Sequence, residues 1–480
     1  MHTFAASRTS DGYVTDVAYP DYVHRELMPQ WMCSALQALG RRSPDIQQPF
    51  TWLELGCGTG MSAVIAAATY PSGHFFGIDV NPQAIHQAQA MAEAAGLGNV
   101  QFICTDFETL LREKQVPWKG CDFIVSHGVY SWVSPHNRHI MRQLLERWLL
   151  PGGVCYLAYM SHPGSATVAA AQKLAQLHAK RSNTVSSTKQ VQAALALLQR
   201  TAAAGTGYFT EHPRLTSQID TLARMDPRYA AHEFLNDHWD CLHVADVISD
   251  MASVQCEWAG SATLLENIDA ASLPQGVLPL LMELKQQGAD AREQETLKDI
   301  ARNQNQRRDL YQRAHPQGNV LTADEHRQQL LRQRITLTPT APAPDAPSGH
   351  SLRLDTRIGP VDMPMAHIQP LLAHLQQGPC CYADLLQHPL YAKQPALVSQ
   401  LLQTLCWAGW IQFVHNTAPD AQTLARVHRL NQVLATRPCE QPSTSFLAAA
   451  ATGSAVPMPG QAPSLWLQQR MHWLGIPSDI

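Results

Sequence analysis

The sequence predicts a doubly wound α/β fold at its N-terminal side, followed by a mainly helical middle region and a winged-helix-like C-terminal region. Short apolar runs alternate with helical patterns between residues 50 and 160, which is typical of a parallel sheet covered by helices. After residue 166 the pattern changes to Ala- and Gln-rich helical segments, and four prolines fall within 338–349. A chain of 480 residues is also too long for a single hydrophobic core.

Five strands with intervening helices follow one another in the first region. The predicted strands are 50–56, 74–80, 100–106, 121–128 and 153–159, and the predicted helices are 61–70, 82–97 and 139–149. Each strand is apolar nearly throughout, as burial on both faces of a sheet requires. We therefore assign residues 1–165 to one α/β domain that begins with an N-terminal arm.

Changes in composition predict the remaining boundaries. Residues 166–337 form a helical middle domain, which ends in the polar stretch DAREQETLKDIARNQNQRRDLYQR (290–313), and a solvated helix or a loop is expected there. The Pro-rich segment 338–350 is the predicted linker. Residues 351–480 form a winged-helix-like domain with a tail. Acidic residues outnumber basic ones between 351 and 420, which favours packing or protein recognition over binding to phosphates.

The overall composition excludes several classes of protein. Hydrophobic residues make up 45% of the chain, charged residues 15%, and the net charge is −4, so we expect well-buried domains and no nucleic-acid partner. No apolar run of membrane-spanning length or secretory signal is apparent. The cysteines have no C-x-x-C spacing, and free thiols in a reducing cytoplasm are expected rather than disulfides or a metal site.

A glycine-rich turn follows the first predicted strand and reads Glu-Leu-Gly-Cys-Gly-Thr-Gly (54–60). Gly56, Gly58 and Gly60 let the backbone turn tightly and approach a ligand closely, with Cys57 between them. The spacing is G-x-G-x-G, whereas dinucleotide-binding loops have G-x-G-x-x-G and leave a helix N-terminus clear for a pyrophosphate. S-adenosylmethionine (AdoMet) has no phosphate, and this spacing favours it as the cofactor.

Acidic residues at the ends of three strands support the same cofactor. Glu54 ends the first strand and suits a ligand that carries an ammonium and a sulfonium group. Asp79, followed by Val80, ends the second strand, where a carboxylate accepts hydrogen bonds from both ribose hydroxyls. Asp106 ends the third strand, and together with Phe107 it is expected to contact the adenine. The alternative is a glycine turn with ordinary aspartate caps.

The fourth strand ends at Ser126 and His127, which we include among the expected cofactor contacts. His127 is also a candidate base, although a histidine at a strand end is commonly structural. In the middle region His232 and Glu233 are expected to hold that region against the α/β domain or to shape the acceptor entrance. No metal site is expected there, because the nearby histidines lack a clear ligand spacing.

Aromatic residues are the candidates for the side of the site that faces the methyl acceptor. Tyr130 and Trp132 lie just after the fourth strand, and Tyr19 in the N-terminal arm completes the expected catalytic set. Tyr13, in the same arm, is expected to cover the cofactor. The alternative is that these rings only cap the top of the sheet.

These residues resemble motif I of class I AdoMet-dependent methyltransferases, in which Asp79 and Asp106 occupy the acidic positions that follow. Four further segments are similar to bacterial members that carry a methyltransferase regulatory domain: YVTDVAYPDYVHRELMP (13–29), HGVYSWVSP (127–135), LARMDPRYAAHEFLNDHWDCLHVADV (222–247) and FLAAAATGSAVPMP (446–459). The whole is similar to the rickettsial-type protein-lysine methyltransferases, which modify an outer-membrane protein. The resemblance implies a Rossmann-like AdoMet domain, a helical dimerisation or middle region and a C-terminal domain. A homodimer is possible on this basis.

Three functions remain open at this point. The leading hypothesis is methyl transfer to protein lysine side chains. A second is an AdoMet-dependent enzyme for a small molecule or a peptide natural product, and a third is an AdoMet-binding regulatory or scaffold protein. The intact loop and both aspartates favour an enzyme.

Overall fold

The computed structural model describes residues 11–182, 184, 186–343, 349–437, 445–458 and 464–477. Part of the predicted linker (344–348) and the final residue of the tail segment, Pro459, lie outside these ranges. Within the described ranges, no helix is long and apolar enough to cross a membrane.

The strands of the described residues belong to one large sheet and three small ones. In chain order they are β1 (Phe50–Leu55), β2 (Gly73–Asp79), β3 (Val100–Cys104), β4 (Cys121–His127), β5 (Leu149–Met160), β6 (Cys256–Ser261), β7 (Gln306–Arg313), β8 (Arg334–Leu337), β9 (Ser351–Thr356), β10 (Gly359–Pro364), β11 (Cys380–Cys381), β12 (Ile411–Val414), β13 (Ser445–Ala449) and β14 (Ser454–Met458).

Helices cover the large sheet and form most of the remaining structure. The first twelve are α1 (Pro29–Ala38), α2 (Met61–Thr69), α3 (Pro82–Ala94), α4 (Phe107–Arg112), α5 (Pro135–Trp148), α6 (Ala169–Lys180), α7 (Ser187–Ala203), α8 (Gly207–Glu211), α9 (Pro213–Arg224), α10 (Pro227–Phe234), α11 (Val244–Ala252) and α12 (Asp269–Ser272). The others are α13 (Leu278–Gln286), α14 (Ala291–Arg302), α15 (Ala323–Arg332), α16 (Met365–Leu375), α17 (Tyr382–Leu385), α18 (Pro389–Ala392), α19 (Pro395–Trp407), α20 (Ala421–Thr436) and α21 (Leu465–Trp473).

The large sheet has seven strands in the order β3-β2-β1-β4-β5-β7-β6. Strands β1 to β5 pair in parallel, which confirms the doubly wound α/β fold and the five predicted strands. The helices between them begin where the sequence supplies a cap. Asn81 accepts hydrogen bonds from the first backbone amides of α3, and Pro82 follows it at a position that needs no amide donor. The strand order reverses between β1 and β4, so the carboxyl ends of these two strands flank a crevice.

The middle region is mainly helical, as expected, but two of its strands extend this sheet, which was not expected. β7 pairs antiparallel with β5, and β6 pairs antiparallel with β7. The polar stretch 290–313, for which a solvated helix or a loop was expected, contains the buried strand β7. Residues 291–302 of the stretch do form a helix, α14, but the expectation is wrong for β7. Charged side chains of α14 and β7 are paired with one another inside the protein.

The pairing centres on Arg307, whose side chain is only 2% exposed. Its guanidinium nitrogens lie 2.9 Å from Glu295, 2.5 Å from Asp299 and 2.8 Å from Asp309, and we call these four residues the Arg307 cluster. Lys298 adds a second cation, 2.9 Å from Glu295. Burial raises the pKa of Asp299 to about 7, although Arg307 partly offsets this rise. The cluster satisfies charges that would otherwise prevent β7 from entering the sheet.

The C-terminal region packs against the α/β domain through the same hydrophobic core. β8 pairs with both β11 and β12 in a three-stranded sheet, so residues on the two sides of the Pro-rich segment lie side by side. Leu405 of α19 and Leu430 of α20 belong to the buried cluster that also contains Trp52 of β1. Arg426 of α20 donates hydrogen bonds to the carbonyl of Ala67 (3.1 Å) and to the side chain of Asn99 (2.5 Å).

We expect Arg307→Met to destabilise the protein by about 3–5 kcal/mol, because removing the cation leaves buried carboxylates unpaired. Carboxyl groups whose pKa is raised in the folded state stabilise it less as the pH rises above their unfolded pKa. The loss in melting temperature should therefore be larger at about pH 8 than at about pH 5, where protonation removes part of the repulsion.

The matched control for this measurement is Arg292→Met, because that side chain is 54% exposed. It should change the free energy of unfolding by less than about 0.5 kcal/mol. Equal melting temperatures of Arg307→Met and the wild type at both pH values would contradict the structural role of the cluster.

Candidate active site

A cavity of about 530 Å³ opens at the carboxyl ends of β1 to β4, where ligands bind in open α/β sheets. The glycine-rich turn after β1 forms one side, and residues 11–24 of the N-terminal arm lie across it. Residues of the middle region complete the lining, including Tyr229 and Glu233 of α10 and Arg308 of β7. The cavity therefore joins segments that are distant in the sequence.

The glycine-rich turn lines the cavity with Gly56, Cys57 and Gly58. A Cβ atom built on Gly58 would meet no atom within 4 Å, so at this point only bare backbone borders the cavity. Gly60 is not part of the lining. It precedes α2 with a φ of +73°, and a Cβ there would lie 2.5 Å from the ring of Phe102. Gly60 thus serves the packing of the turn rather than contact with a ligand.

Glu54 lies at the end of β1 and is only 4% exposed. Its Oε2 atom is buried and has no hydrogen-bond partner among the described residues. Burial, together with the nearby charge of Asp79, raises the pKa of the Glu54 carboxyl well above its ordinary value. A buried carboxyl without a partner that borders a cavity is suited to a cationic group.

Asp79 and Val80 both line the cavity at the end of β2. The Asp79 carboxylate accepts hydrogen bonds from the backbone amides of Gly58 (2.8 Å) and Asn81 (2.9 Å). Burial nevertheless raises its pKa above the ordinary value. The two amides fix the orientation of the carboxylate, and each oxygen keeps a lone pair for another donor.

Asp106 and Phe107 line the cavity beyond β3. Asp106 is the N-cap of α4 and accepts hydrogen bonds from the backbone amide (2.7 Å) and hydroxyl (3.0 Å) of Thr109. The prediction that Asp106 lies at the site thus agrees with its position. Its side chain also carries out the capping role that we considered as the alternative.

His127 lines the cavity at the end of β4, whereas Ser126 does not. The hydroxyl of Ser126 is buried and donates to the carbonyl of Leu55 (2.9 Å). The Nδ1 atom of His127 lies 2.8 Å from the Tyr156 hydroxyl, and its ring stacks on His24 with centroids 3.5 Å apart. Burial lowers the pKa of His127 well below its ordinary value, so this imidazole is a poor proton acceptor at neutral pH.

Five aromatic rings form a continuous group along the cavity, with neighbouring centroids between 5.8 and 6.5 Å apart. We call this group the aromatic wall: Tyr13, Tyr19, Tyr22, Trp132 and Tyr229. Its members come from the N-terminal arm, the segment after β4 and helix α10. Tyr13, Tyr19 and Trp132 were singled out from the sequence, and the structure brings these three together.

Hydrogen bonds to the middle region hold the N-terminal arm over the cavity. The backbone amide of Val14 donates to the side-chain oxygen of Asn236 (3.1 Å), and the backbone amide of Asp237 donates to the carbonyl of Gly12 (3.0 Å). At the other end of the arm Asp21 accepts a hydrogen bond from Thr59 of the glycine-rich turn. The arm therefore links the turn to the middle region.

The structure does not bring Tyr130 to the cavity, although it was expected among the catalytic residues. This side chain is 1% exposed and packs in the core on the other side of the turn. Its hydroxyl lies 3.1 Å from Arg142 and 3.4 Å from Asp250. Tyr130 thus connects α5 to α11, because the turn after β4 directs Trp132, and not Tyr130, towards the cavity.

The middle region supplies Tyr229 and Arg308, which the sequence analysis did not single out, and Glu233, which was expected to hold this region against the α/β domain or to shape the acceptor entrance. Tyr229 and Glu233 are four residues apart on α10 and therefore share one face of that helix, a spacing that is visible in the sequence. Arg308 of β7 points to the opposite side of its strand from Arg307, because side chains alternate along a strand. No sequence signal marked Arg308, since β7 itself was not predicted.

Comparison with known proteins agrees with this geometry. A family model described as a methyltransferase domain matches residues 47–210, and one described as a predicted methyltransferase regulatory domain matches residues 226–313. The chain is an AdoMet-dependent methyltransferase. The strand ends that line the cavity belong to the first matched region, the arm that covers it (residues 11–24) precedes that region, and Tyr229, Glu233 and Arg308 come from the second.

Relatives of this methyltransferase align with most of the chain. An uncharacterized protein of Synechocystis is 27% identical over 450 residues, which cover 93% of this chain and 85% of the relative. The structure of PKMT2 from Rickettsia typhi in complex with AdoHcy has a TM-score of 0.67 at 18% identity and covers 92% of this chain and 86% of that chain. A second structure of PKMT2 has a TM-score of 0.64 at 17% identity. At these identities the two structures establish a common fold.

The lining of the methyltransferase cavity fits AdoMet. Glu54 offers a buried Oε2 atom that finds no hydrogen-bond partner in the part of the chain that the structure describes, and Gly58 leaves open space against the backbone. Asp79 offers oriented acceptors. This acidic set suits an ammonium group and ribose hydroxyls, whereas the phosphates of a dinucleotide would be repelled by it.

We expect the affinity for AdoHcy to depend on the ionisation of Glu54. The pKa of this carboxyl is raised in the free protein, so it must lose its proton before it pairs with the ammonium group of the ligand. Affinity should therefore fall as the pH drops below that raised pKa. Glu54→Gln should weaken binding at least about tenfold at pH 8 and should flatten the pH dependence, as measured by calorimetry.

The control variant for Glu54 is Glu93→Gln, because Glu93 is exposed on α3. It should keep both the affinity and the pH dependence of the wild type. A Glu54→Gln protein with unchanged AdoHcy affinity across the pH range would show that Glu54 does not face the ammonium group.

Proposed function

We propose that this methyltransferase transfers methyl groups from AdoMet to lysine side chains of protein substrates. The observation that carries the proposal is the aromatic wall, which borders the same cavity as the cofactor turn. A lysine amine must be neutral to act as a nucleophile, although its pKa in water is about 10.4. A site enclosed by aromatic rings with few polar groups favours that neutral form.

The residues of the cavity divide into a cofactor side and an acceptor side in this proposal. Bound AdoMet supplies an electrophilic methyl group on its sulfonium. Glu54 pairs with the ammonium group of the cofactor, Asp79 accepts from the ribose hydroxyls, and Asp106 with Phe107 contacts the adenine. Arg308, the cation that β7 brings to this lining, is suited to the carboxylate of the cofactor.

Trp132 and Tyr19 lie on the acceptor side and position the amine in this proposal. The indole N–H of Trp132 is buried and has no hydrogen-bond partner among the described residues, so it is available to a polar atom of the acceptor. The ring of Tyr19 lies 6.2 Å from that of Trp132 and 5.9 Å from that of Tyr229. These rings exclude water from the reacting atoms, and their π faces attract the ammonium form of the amine as it binds, before it loses its proton.

The resemblance to rickettsial-type protein-lysine methyltransferases supports a protein as the acceptor. The structural likeness to PKMT2 extends over the middle and C-terminal regions as well as the methyltransferase domain. We propose that the C-terminal region is a winged-helix-like unit for protein recognition. Support comes from its order of elements, in which α16, β11, α17 and α19 precede β12 and the small sheet includes β8.

We propose that the protein acts in a reducing, cytoplasmic environment. All ten cysteines of the described residues are free thiols, and most of them are buried. Proteins of oxidising compartments commonly use such residues in disulfides instead.

Incubating the purified protein with methyl-labelled AdoMet and a cell lysate tests the function. We expect label in protein bands, with methylated lysine recovered after hydrolysis of those bands. Label in small molecules would instead support an acceptor of that class. Binding of AdoMet without transfer to any component would support a regulatory or scaffold protein.

We expect Asp79→Ala to weaken AdoMet binding at least about tenfold, because it removes the acceptor of two ribose hydrogen bonds, each worth about 1 kcal/mol. Calorimetry provides the measurement. Asp79→Asn keeps the shape and one acceptor oxygen, so it should lose less affinity than the alanine variant. An alanine variant with the affinity of the wild type would disprove the assignment of Asp79.

A further inference from the structure

Helix α10 of the regulatory domain directs a carboxyl group into the cavity. Glu233 accepts a hydrogen bond from the Tyr19 hydroxyl at 3.2 Å and another from the Tyr229 hydroxyl. Its own backbone carbonyl accepts from the indole N–H of Trp239 (2.9 Å), which fixes the end of the helix. The carboxyl is thus held in place by partners from two separate segments.

We propose that Glu233 binds the amine of the methyl acceptor and takes the proton that this amine must lose. The proposal deepens the proposed function and rests on it, since it assigns a role at the acceptor side of the same cavity. It would make the regulatory domain a contributor of a catalytic residue, and the methyltransferase domain alone would have an incomplete site.

The surroundings of Glu233 match a cationic amine. Rings of the aromatic wall frame the carboxyl, and their π faces attract a cation within about 6 Å. Tyr13 lies within electrostatic range of both Glu233 and Asp79, so the acceptor side adjoins the ribose side of the cavity. A carboxylate enclosed by aromatic rings binds an alkylammonium group more favourably than it binds a hydroxyl or a carboxylate group of an acceptor.

The other titratable groups around the cavity are poorer proton acceptors. Burial lowers the pKa of His24 and of His232 to about 4, and the Nε2 atom of His232 lies 3.0 Å from the carbonyl of Val17. Burial raises the pKa of Tyr13 and Tyr19 above the ordinary tyrosine value, so both remain protonated.

Glu233 differs from these groups because its pKa lies close to neutral. Burial raises the pKa of Glu233 to about 7, while the hydrogen bonds from Tyr19 and Tyr229 limit that rise. A base is most effective when its pKa is near the working pH. Of the other charged groups on the cavity wall, Glu54, Asp79, Asp106 and Arg308 belong to the cofactor side in our proposal. Asp21 is paired with Arg437 (2.9 Å), and Asp11 accepts hydrogen bonds from Ser134 and Asn137.

The proton and the electrons balance in the following way. The lysine ammonium binds beside the ionised Glu233 carboxylate and gives it one proton. The neutral amine then uses its lone pair to form the nitrogen–carbon bond to the methyl group, while the sulfur–carbon bond breaks and its electrons stay on sulfur, which leaves AdoHcy. Glu233 finally releases its proton to solvent.

A binding experiment tests the amine site without relying on turnover. The AdoHcy-loaded protein is titrated with N-acetyl-lysine methylamide in a calorimeter at about pH 8. We expect Glu233→Gln to weaken binding of this probe at least about tenfold, and Glu211→Gln, a change at an exposed residue of α8, to leave it unchanged. AdoHcy affinity and melting temperature should be the same in all three proteins. A wild type that does not bind the probe, or a Glu233→Gln variant that binds it equally well, overturns the proposal.

A kinetic experiment tests the proton transfer. With a protein substrate, kcat/KM of the wild type should rise as the pH increases through about 7, because the free carboxyl must be ionised. Glu233→Gln should abolish this rise of kcat/KM with pH and should reduce kcat/KM at least about a hundredfold. Glu233→Asp should restore part of the lost kcat/KM. A Glu233→Gln variant whose kcat/KM still rises through about pH 7 as in the wild type overturns the proposal. If hydrolysis finds the methyl group on a residue other than lysine, the proposed function fails, and the binding experiment still decides the role of Glu233.

Discussion

The Arg307 cluster is the interaction on which the active site depends. A guanidinium that is 2% exposed would be prohibitively unstable alone, and three surrounding carboxylates remove that cost while they join α14 to β7. Because β7 pairs with β5 over seven residues, Val154 to Met160, the cluster also fixes the regulatory domain to the methyltransferase sheet. The next residue of the strand, Arg308, points to the other face and reaches the cavity. The packing of Arg307 on one face of β7 thus determines the position of Arg308 on the other face, which lines the cavity.

The cavity combines two kinds of surface that originate in different parts of the chain. The methyltransferase domain provides carboxyl groups at strand ends, and among them the buried Oε2 atom of Glu54 has no hydrogen-bond partner within the described ranges. The regulatory domain and the N-terminal arm provide most of the rings and Glu233. The arm is hydrogen-bonded to both parts, through Asp21 to the glycine-rich turn and through Val14 to the middle region. The description of the second domain as regulatory therefore understates its contribution to the lining of the site.

Local sequence patterns predicted the elements whose conformation depends on residues that are close together in the chain. The five parallel strands, the glycine turn and the positions of Glu54, Asp79 and Asp106 follow from apolar runs, chain reversal and the rule that ligands bind at the carboxyl ends of strands. The strand β7 within the polar stretch 290–313 was not predicted, because a buried strand is expected to be apolar. Its burial depends on residues of α14 that neutralise Arg307, and charge pairing between two elements leaves no periodic signal. Tyr130 was expected at the site because it follows β4 closely in the sequence, but the structure places its ring in the core. Distance along the chain from β4 does not reveal on which side of the turn a ring will pack.

The sequence by itself determined the α/β fold, the AdoMet turn with its strand-end carboxyls, and the division into chemically different regions. These properties depend on residues close together in the chain, where hydrophobic periodicity and backbone conformation decide the outcome. Only the tertiary structure decided that β6 and β7 complete the sheet, that Tyr19, Trp132 and Tyr229 form one aromatic wall, and that Glu233 faces the cavity. Each of these results requires contacts between segments a hundred or more residues apart. Such contacts are selected by the packing free energy of the whole fold, and no short stretch of the chain encodes them.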